Sequence, residues 1–261
     1  MTEDGRGVLY PTRLPTFHRV PAPAELEGLV RWFWIPRWNL APGRSSRQEL
    51  LPFPASNLVV QPDGVSLSGP TTGASHRGLR GRGWAVGALL RPGGLASLCE
   101  EPGRLRNTET PFPAPALQRE IVLAMTEPDE ATGRARAVEV YVRWAPEHLA
   151  PVDESGALAN ALEDLIATDP SVVRVEQVAR KLGLSMRTVQ RLARRHIGLT
   201  PLSVIRRYRL QEAAQRLRDD PTVTIAQVAA DLGYADHAHL TTDFRTVLCL
   251  TPNRYRSSSL S

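Results

Sequence analysis

The stretch QVAADLGYADHAHLTTDF (Gln227–Phe244) restates a phrase written 50 residues earlier, QVARKLGLSMRTVQRLA (Gln177–Ala193). Whatever the rest of the chain does, these two segments must fold alike. In the first, Val175, Val178, Ala179 and Leu182 recur at i, i+3, i+4 and i+7, the period of one helix face. Gly183 ends that helix, because glycine accepts the left-handed conformation of a tight C-terminal turn. Ser185 is placed to cap a second helix, which buries Val189, Leu192 and Ala193. Two short helices joined by so brief a turn form a helix-turn-helix. The second copy supplies the same parts. Ile225, Val228, Ala229 and Leu232 make the apolar face, and Thr224 with Gln227 has the spacing of a capping box. Gly233 turns the chain, Asp236 caps, and Leu240, Phe244 and Val247 point inward. The exits also match, as Gly198-Leu-Thr-Pro201 and Cys249-Leu-Thr-Pro252. The offset is 50 at the glycines and 51 at the prolines, so the second copy has one extra residue in its turn or second helix.

Between the copies, Leu210, Ala213, Ala214 and Leu217 give Pro201–Arg218 the stripe of a single connecting helix. Its 18 residues span about 27 Å at roughly 1.5 Å per residue. Successive major grooves on one side of a DNA duplex lie about 34 Å apart. A rod of that length holds two short helices near one turn of duplex apart, which is a physical reason for writing the unit twice.

The outward residues of each second helix have matching chemistry. Unit one exposes Met186, Arg187, Gln190, Arg191 and Arg194; Arg pairs bidentately with guanine and Gln with adenine. Unit two offers His237, Ala238, Thr241, Thr242 and Arg245, which are weaker readers, so unit one is expected to discriminate bases better. Ser185, Arg194, Arg195, Arg206, Arg207 and Arg245 are the expected phosphate contacts. Charge agrees: Ser171–Ser261 holds 15 Arg/Lys against 7 Asp/Glu, whereas Met1–Pro170 holds 17 against 20. A basic excess confined to one end points to a polyanionic partner.

The first 115 residues read as short strands broken by Pro and Gly. NLVV and VSLS flank Gln-Pro-Asp-Gly as a hairpin; WAVGALL (Trp84–Leu90) is a further strand, and LVRWFWI (Leu29–Ile35) is strand-like with a helical alternative. A sandwich or barrel is expected there. Helices are expected at Leu117–Met125, at Asp129–Trp144 and at Ala157–Ile166, the last with Leu158, Ala161, Leu162, Leu165 and Ile166 on its inner side. Pro146 and Pro151 punctuate the interval, placing a domain boundary near Pro151. The expected class is therefore α+β: a β-rich regulatory domain over 1–150 and an all-α domain over 151–261.

Other chemistry is sparse. No run approaches about 18 consecutive apolar residues, so no membrane helix is expected. The opening MTEDGRGVLYPTRLP lacks a signal-peptide pattern, and a cytoplasmic protein is expected. Cys99 and Cys249 are read as small buried residues without zinc-ligand spacing. Trp32, Trp34, Phe53 and Trp84 are candidates for a ligand pocket, against the alternative that such aromatics simply fill core. No metal, cofactor or catalytic constellation is expected.

On the residues VEQVARKLGLSMRTVQRL, GLTPLSVIRRYRLQEAAQRL and IAQVAADLGYADHAHLTTDF…LTPNRYR, the segment from about Val175 to Arg256 resembles the double helix-turn-helix domain of the AraC/XylS family of bacterial transcription regulators. The resemblance implies double-stranded DNA as partner, read through Arg187, Gln190, Arg191, His237, Ala238, Thr241 and Thr242. Leu240 and Ala193 stand where aromatics are usual in that family, Cys249 replaces the usual glycine, and Thr242 occupies a frequent arginine position. The N-terminal part looks like the sensor-type domains that precede this module, which implies a small-molecule effector or protein partner such as RNA polymerase, in a monomer or homodimer. The rival expectation is a β-barrel enzyme fused to a DNA-targeting module.

Overall fold

The computed structural model describes residues 16–259; the opening MTEDGRGVLYPTRLP lies outside them. The strands are β1 (Thr16–Pro21), β2 (Val30–Asn39), β3 (Ser45–Leu50), β4 (Asn57–Gln61), β5 (Gly64–Ser68), β6 (Ser75–Arg80), β7 (Arg82–Trp84), β8 (Val86–Leu90) and β9 (Glu109–Pro111). The helices begin with α1 (Pro92–Leu95), α2 (Pro115–Met125), α3 (Glu130–His148) and α4 (Glu154–Thr168). Then come α5 (Val175–Leu182), α6 (Met186–Leu192), α7 (Pro201–Asp219), α8 (Ile225–Asp231), α9 (His237–Leu248) and α10 (Pro252–Ser259).

Seven strands form one antiparallel sheet in the order β1-β2-β8-β4-β5-β9, with β7 also paired to β2, and β3 with β6 makes a separate ribbon. The hairpin read from NLVV and VSLS is β4–β5, closing at Gln61 and Gly64 around Pro62-Asp63. Trp84–Leu90 is divided: β7 ends at Trp84, and Ala85 turns its N–H to the Pro36 carbonyl before β8 begins.

Strand β2 is buried on both faces, and this sets the architecture. Successive side chains on a strand alternate sides. Phe33 and Ile35 enter a core with Leu58, Val60, Val86 and Ala88 under α2 and α3. Trp32 and Trp34 enter a second core shared with α4–α7. Each fully buried Phe or Ile contributes roughly 1.5–3 kcal/mol, so one strand ties the sheet to helices from both parts of the chain. On the first face Tyr141 of α3 donates to the carbonyls of Leu58 (3.0 Å) and Val86 (3.2 Å) at the centre of the sheet. On the second, the Trp34 indole lies over Gly87, where an added Cβ would sit 2.1 Å from its Cε2, and its Nε1 donates to Asn57 at 2.9 Å.

Two helical expectations need correction. Helix α3 runs past Pro146 to His148, ending where the Leu149 N–H bonds back to Ala145. Helix α4 buries Ala159, Asn160, Leu162, Glu163 and Ile166, while Ala161, expected on the inner side, is exposed. The buried face is thus rotated to include two polar residues.

Candidate nucleic-acid interface

Both repeated units are built as their sequences dictate. In unit one, the Gln177 side chain accepts the N–H groups of Val173 (2.9 Å) and Arg174 (2.8 Å), fixing the start of α5. Gly183 closes it with φ +65°. Ser185 Oγ accepts the Thr188 N–H at 3.1 Å and starts α6. In unit two, Thr224 accepts the Gln227 N–H at 3.1 Å and Asp236 the His239 N–H at 2.8 Å. Gly233 has φ +66°. The cap-to-exit distance is the same, Ser185 to Gly198 and Asp236 to Cys249. The extra residue of unit two therefore lies in its turn. Helix α6 passes into a π-helical turn over Ala193–Ile197, whereas α9 stays regular to Leu248.

The inward residues of both units are buried: Val178, Val189, Leu192 and Ala193 in unit one, Val228, Ala229, Leu232, Leu240 and Phe244 in unit two. That packing turns Arg187, Gln190, Arg191, Arg194 and Arg195 outward together along α6 and its π turn. They line one wall of an open cleft of about 770 Å³. Met186, expected outside with them, leans back against the unit-one core. On α9, His237, Ala238, Thr242 and Arg245 are exposed and Thr241 is half-buried. The Thr242 hydroxyl donates to the Ala238 carbonyl at 2.9 Å, one turn back, so its proton is engaged within α9.

Helix α7 joins the units over 19 residues, about 28 Å at roughly 1.5 Å per residue. Arg206 projects from it into solvent. Arg207, expected to contact phosphate, is half-buried toward α9. Burial lowers its guanidinium pKa, with Asp243 opposing that and Arg206 adding to it. Arg209 stacks 4.0 Å over Tyr234 and donates to the Leu232 carbonyl at 2.6 Å, closing the C-terminal end of α8.

The proposed aromatic pocket is not formed by its four residues. Trp32 and Phe53 meet edge to face at 5.9 Å, and Phe53 meets Tyr208 of α7 at 5.8 Å. These, with Trp34, belong to the core shared with unit one, while Trp84 packs in the other core. The aromatics fill a seam between sheet and helices because β2 presents one tryptophan face to α4 and α7. Cys249 is also not buried: it is exposed with φ +56°, in the left-handed position that Gly198 fills in unit one.

Sequence reasoning missed the polar residues of that seam. Arg31 of β2 donates to Glu163 at 2.9 Å and to Asp164 at 2.6 Å, and Arg91 pairs with the second oxygen of Asp164. Tyr208 donates to the other oxygen of Glu163 at 2.6 Å. Burial lowers the Arg31 pKa, but Glu163, Tyr208 and Asp164 outweigh it, and the net shift is upward. Asn160 accepts the Gly93 N–H at 2.8 Å and donates to the Gly28 carbonyl at 2.9 Å. Gln211 donates to the Pro52 carbonyl at 2.7 Å. The β-rich part thus grips α4 and α7, the two helices that carry unit one.

Among the described residues, no helix is long and apolar enough to cross a membrane. Residues 178–258 match a family described as "Helix-turn-helix domain", and residues 18–111 match one described as "Domain of unknown function (DUF6597)". The HTH-type transcriptional activator RhaS of Pectobacterium carotovorum is 35% identical over 86 residues, 32% of this chain and 30% of that protein. RhaS of Escherichia fergusonii is 38% identical over 96 residues, 36% of this chain and 33% of its own length. The chain thus spans about a third of the curated relatives it matches. Among solved structures, ToxT from Vibrio cholerae O395 aligns over 86% of this chain and 97% of its own at a TM-score of 0.45 and 11% identity.

Proposed function

We propose that the protein is a sequence-specific DNA-binding transcription regulator whose C-terminal part, matched over residues 178–258 as a helix-turn-helix domain, is a double helix-turn-helix of the AraC/XylS type. The observation that carries this reading is the row Arg187, Gln190, Arg191, Arg194 and Arg195, brought outward together by the burial of Val189, Leu192 and Ala193. Helix α6 enters one major groove and reads bases with Arg187, Gln190 and Arg191; Arg194, Arg195 and Arg206 neutralise phosphates. Helix α9 enters the next groove with His237, Ala238, Thr241 and Thr242, and Arg245 contacts its backbone. Ser185 starts α6 with its side chain and offers its hydroxyl to a phosphate.

The β-rich part, residues 1–150, is regulatory rather than catalytic in this reading, and 151–261 is the DNA-binding part. The protein acts in the cytoplasm as a monomer or homodimer, with RNA polymerase as a further partner and a small-molecule effector as a further input. Its grip on α4 and α7 through Arg31, Arg91 and Gln211 supports a regulatory role, since a change in the sheet reaches unit one through buried contacts.

The test substitutes Arg191→Ala and Thr241→Ala separately and measures affinity for single-base variants of a duplex selected from a random pool. Loss of Arg191 should cost about 1–3 kcal/mol and flatten discrimination at its base. Thr241 should matter less. A larger loss of discrimination from Thr241→Ala, or binding that does not weaken with salt as counterion release requires, contradicts the reading.

A further inference from the structure

The second wall of the cleft over α6 comes from the β-rich part of the chain and is acidic. Glu100, Glu101, Pro102 and Gly103 face Arg187, Gln190, Arg191, Arg194 and Arg195 across it. Residues Pro102–Leu105 form a short 3-10 helix. It is fixed from both sides. Leu105 is buried in the sheet core, where an added Cβ on Gly69 would lie 2.0 Å from the Leu105 carbonyl oxygen. On the other side, an added Cβ on Gly198 would lie 2.5 Å from the Pro102 carbonyl carbon and 2.8 Å from the Gly103 nitrogen. The backbone of this lip therefore rests directly on the exit of unit one. Glu101 pairs with Arg104 of the same segment. Among the described residues, neither Glu100 nor Arg187, Arg191, Arg194 and Arg195 makes an ion pair, so the facing charges are unspent.

We propose that the Glu100–Glu101 lip is an autoinhibitory element: it sets carboxylates across the cleft from the recognition arginines, in the path of a phosphate strand seated on unit one, and by repulsion of that strand lowers affinity for the duplex. This inference rests on the DNA-binding reading and adds to it the means by which the β-rich part sets affinity. Displacing or neutralising the lip raises affinity without changing which bases are read.

The experiment compares full-length wild type with Glu100→Gln, and with Glu100→Gln plus Glu101→Gln, on a duplex of about 40 base pairs, enough for two adjacent grooves. The duplex is selected from a random pool with the double variant. Glu139→Gln with Glu147→Gln, exposed on α3, controls for net charge. Arg191→Ala in both backgrounds monitors the underlying reading. The double variant should bind about three- to thirtyfold tighter at roughly 0.1 M salt, and its log K against log salt should be steeper by about one to two. Glu100→Gln alone should give most of the gain, and the base preference should not move. Equal or weaker binding by the lip variants, or an equal gain in the α3 control, overturns the inference while leaving DNA binding intact if Arg191→Ala still weakens it. If no folded variant binds any duplex, or Arg191→Ala changes nothing, the DNA-binding reading falls and this inference falls with it.

Discussion

Replacing Arg31 by methionine removes one charge from the seam and keeps most of the side-chain length. Glu163 is 1% exposed and is left with the Tyr208 hydroxyl alone. Asp164 is not stranded, because Arg91 still holds it and it is partly solvated. The cost therefore falls on Glu163. Breaking a buried pair by removing one partner costs about 3–5 kcal/mol. Protonation sets a ceiling: neutralising an ordinary glutamate of pKa about 4.3 at pH 7 costs about 3.7 kcal/mol. A destabilisation of about 3–4 kcal/mol at pH 7 follows. The same ceiling is only about 1 kcal/mol at pH 5, so the deficit should shrink as pH falls, since a carboxyl stranded in the fold binds its proton more readily there than in the unfolded chain. Adding Glu163→Gln removes the stranded charge and should recover at least about 2 kcal/mol. Urea unfolding followed by tryptophan fluorescence, to which Trp32 and Trp34 of the seam contribute along with Trp38, Trp84 and Trp144, measures this deficit. A single variant within about 0.5 kcal/mol of wild type, a deficit equal at pH 5 and 7, or a double variant no better than the single would each refute the account of the seam.

Two further outcomes are expected. His196 is buried on the π turn, within 2.9 Å of the Ser155 hydroxyl, and its pKa is depressed by burial first and by Arg195 second, against Asp153 and a backbone bond to Pro92. As pH falls through the ordinary histidine value of about 6.5, the unfolded chain takes up a proton that the folded chain resists, so stability drops over that range; His196→Gln should lack this loss in urea titrations at pH 7.5 and 5.5, and an identical loss in both would contradict it. Cys249→Gly should raise stability by about 0.5–1 kcal/mol, because Cys249 holds a left-handed backbone at φ +56° that glycine adopts without penalty, less glycine's greater freedom when unfolded. Thermal unfolding of that variant checks this, and a lowered midpoint would count against it.

What the sequence made legible was local. Gly183 and Gly233 read correctly as turns because a left-handed residue after an apolar stripe is a signal confined to a few positions. Ser185, Thr224 and Asp236 read as caps for the same reason. The α+β division was legible from the change of period. What stayed hidden depends on distant partners. Asn160 and Glu163 look like surface residues of α4, but their partners Gly28 and Arg31 lie 132 positions away. Trp32 and Trp34 could be read as core or as pocket lining, because nothing in β2 announces that helices will cover its second face. Arg207 looked as free as Arg206, since its half-burial near Asp243 and Tyr234 depends on neighbouring segments of unit two. The acidic pair Glu100-Glu101 carries no local signal, and its meaning arises only where Gly198 lets the lip settle beside α6.

The central claim is that α7 holds α6 and α9 so that they enter adjacent grooves on one side of a duplex. Hydroxyl-radical footprinting of the full-length protein on a selected site tests it most directly. The account predicts two protected patches on the same face, centred about 10–10.5 base pairs apart, with the patch under α6 lost in Arg187→Ala/Arg191→Ala. A single short patch, or two patches on opposite faces of the duplex, would contradict it.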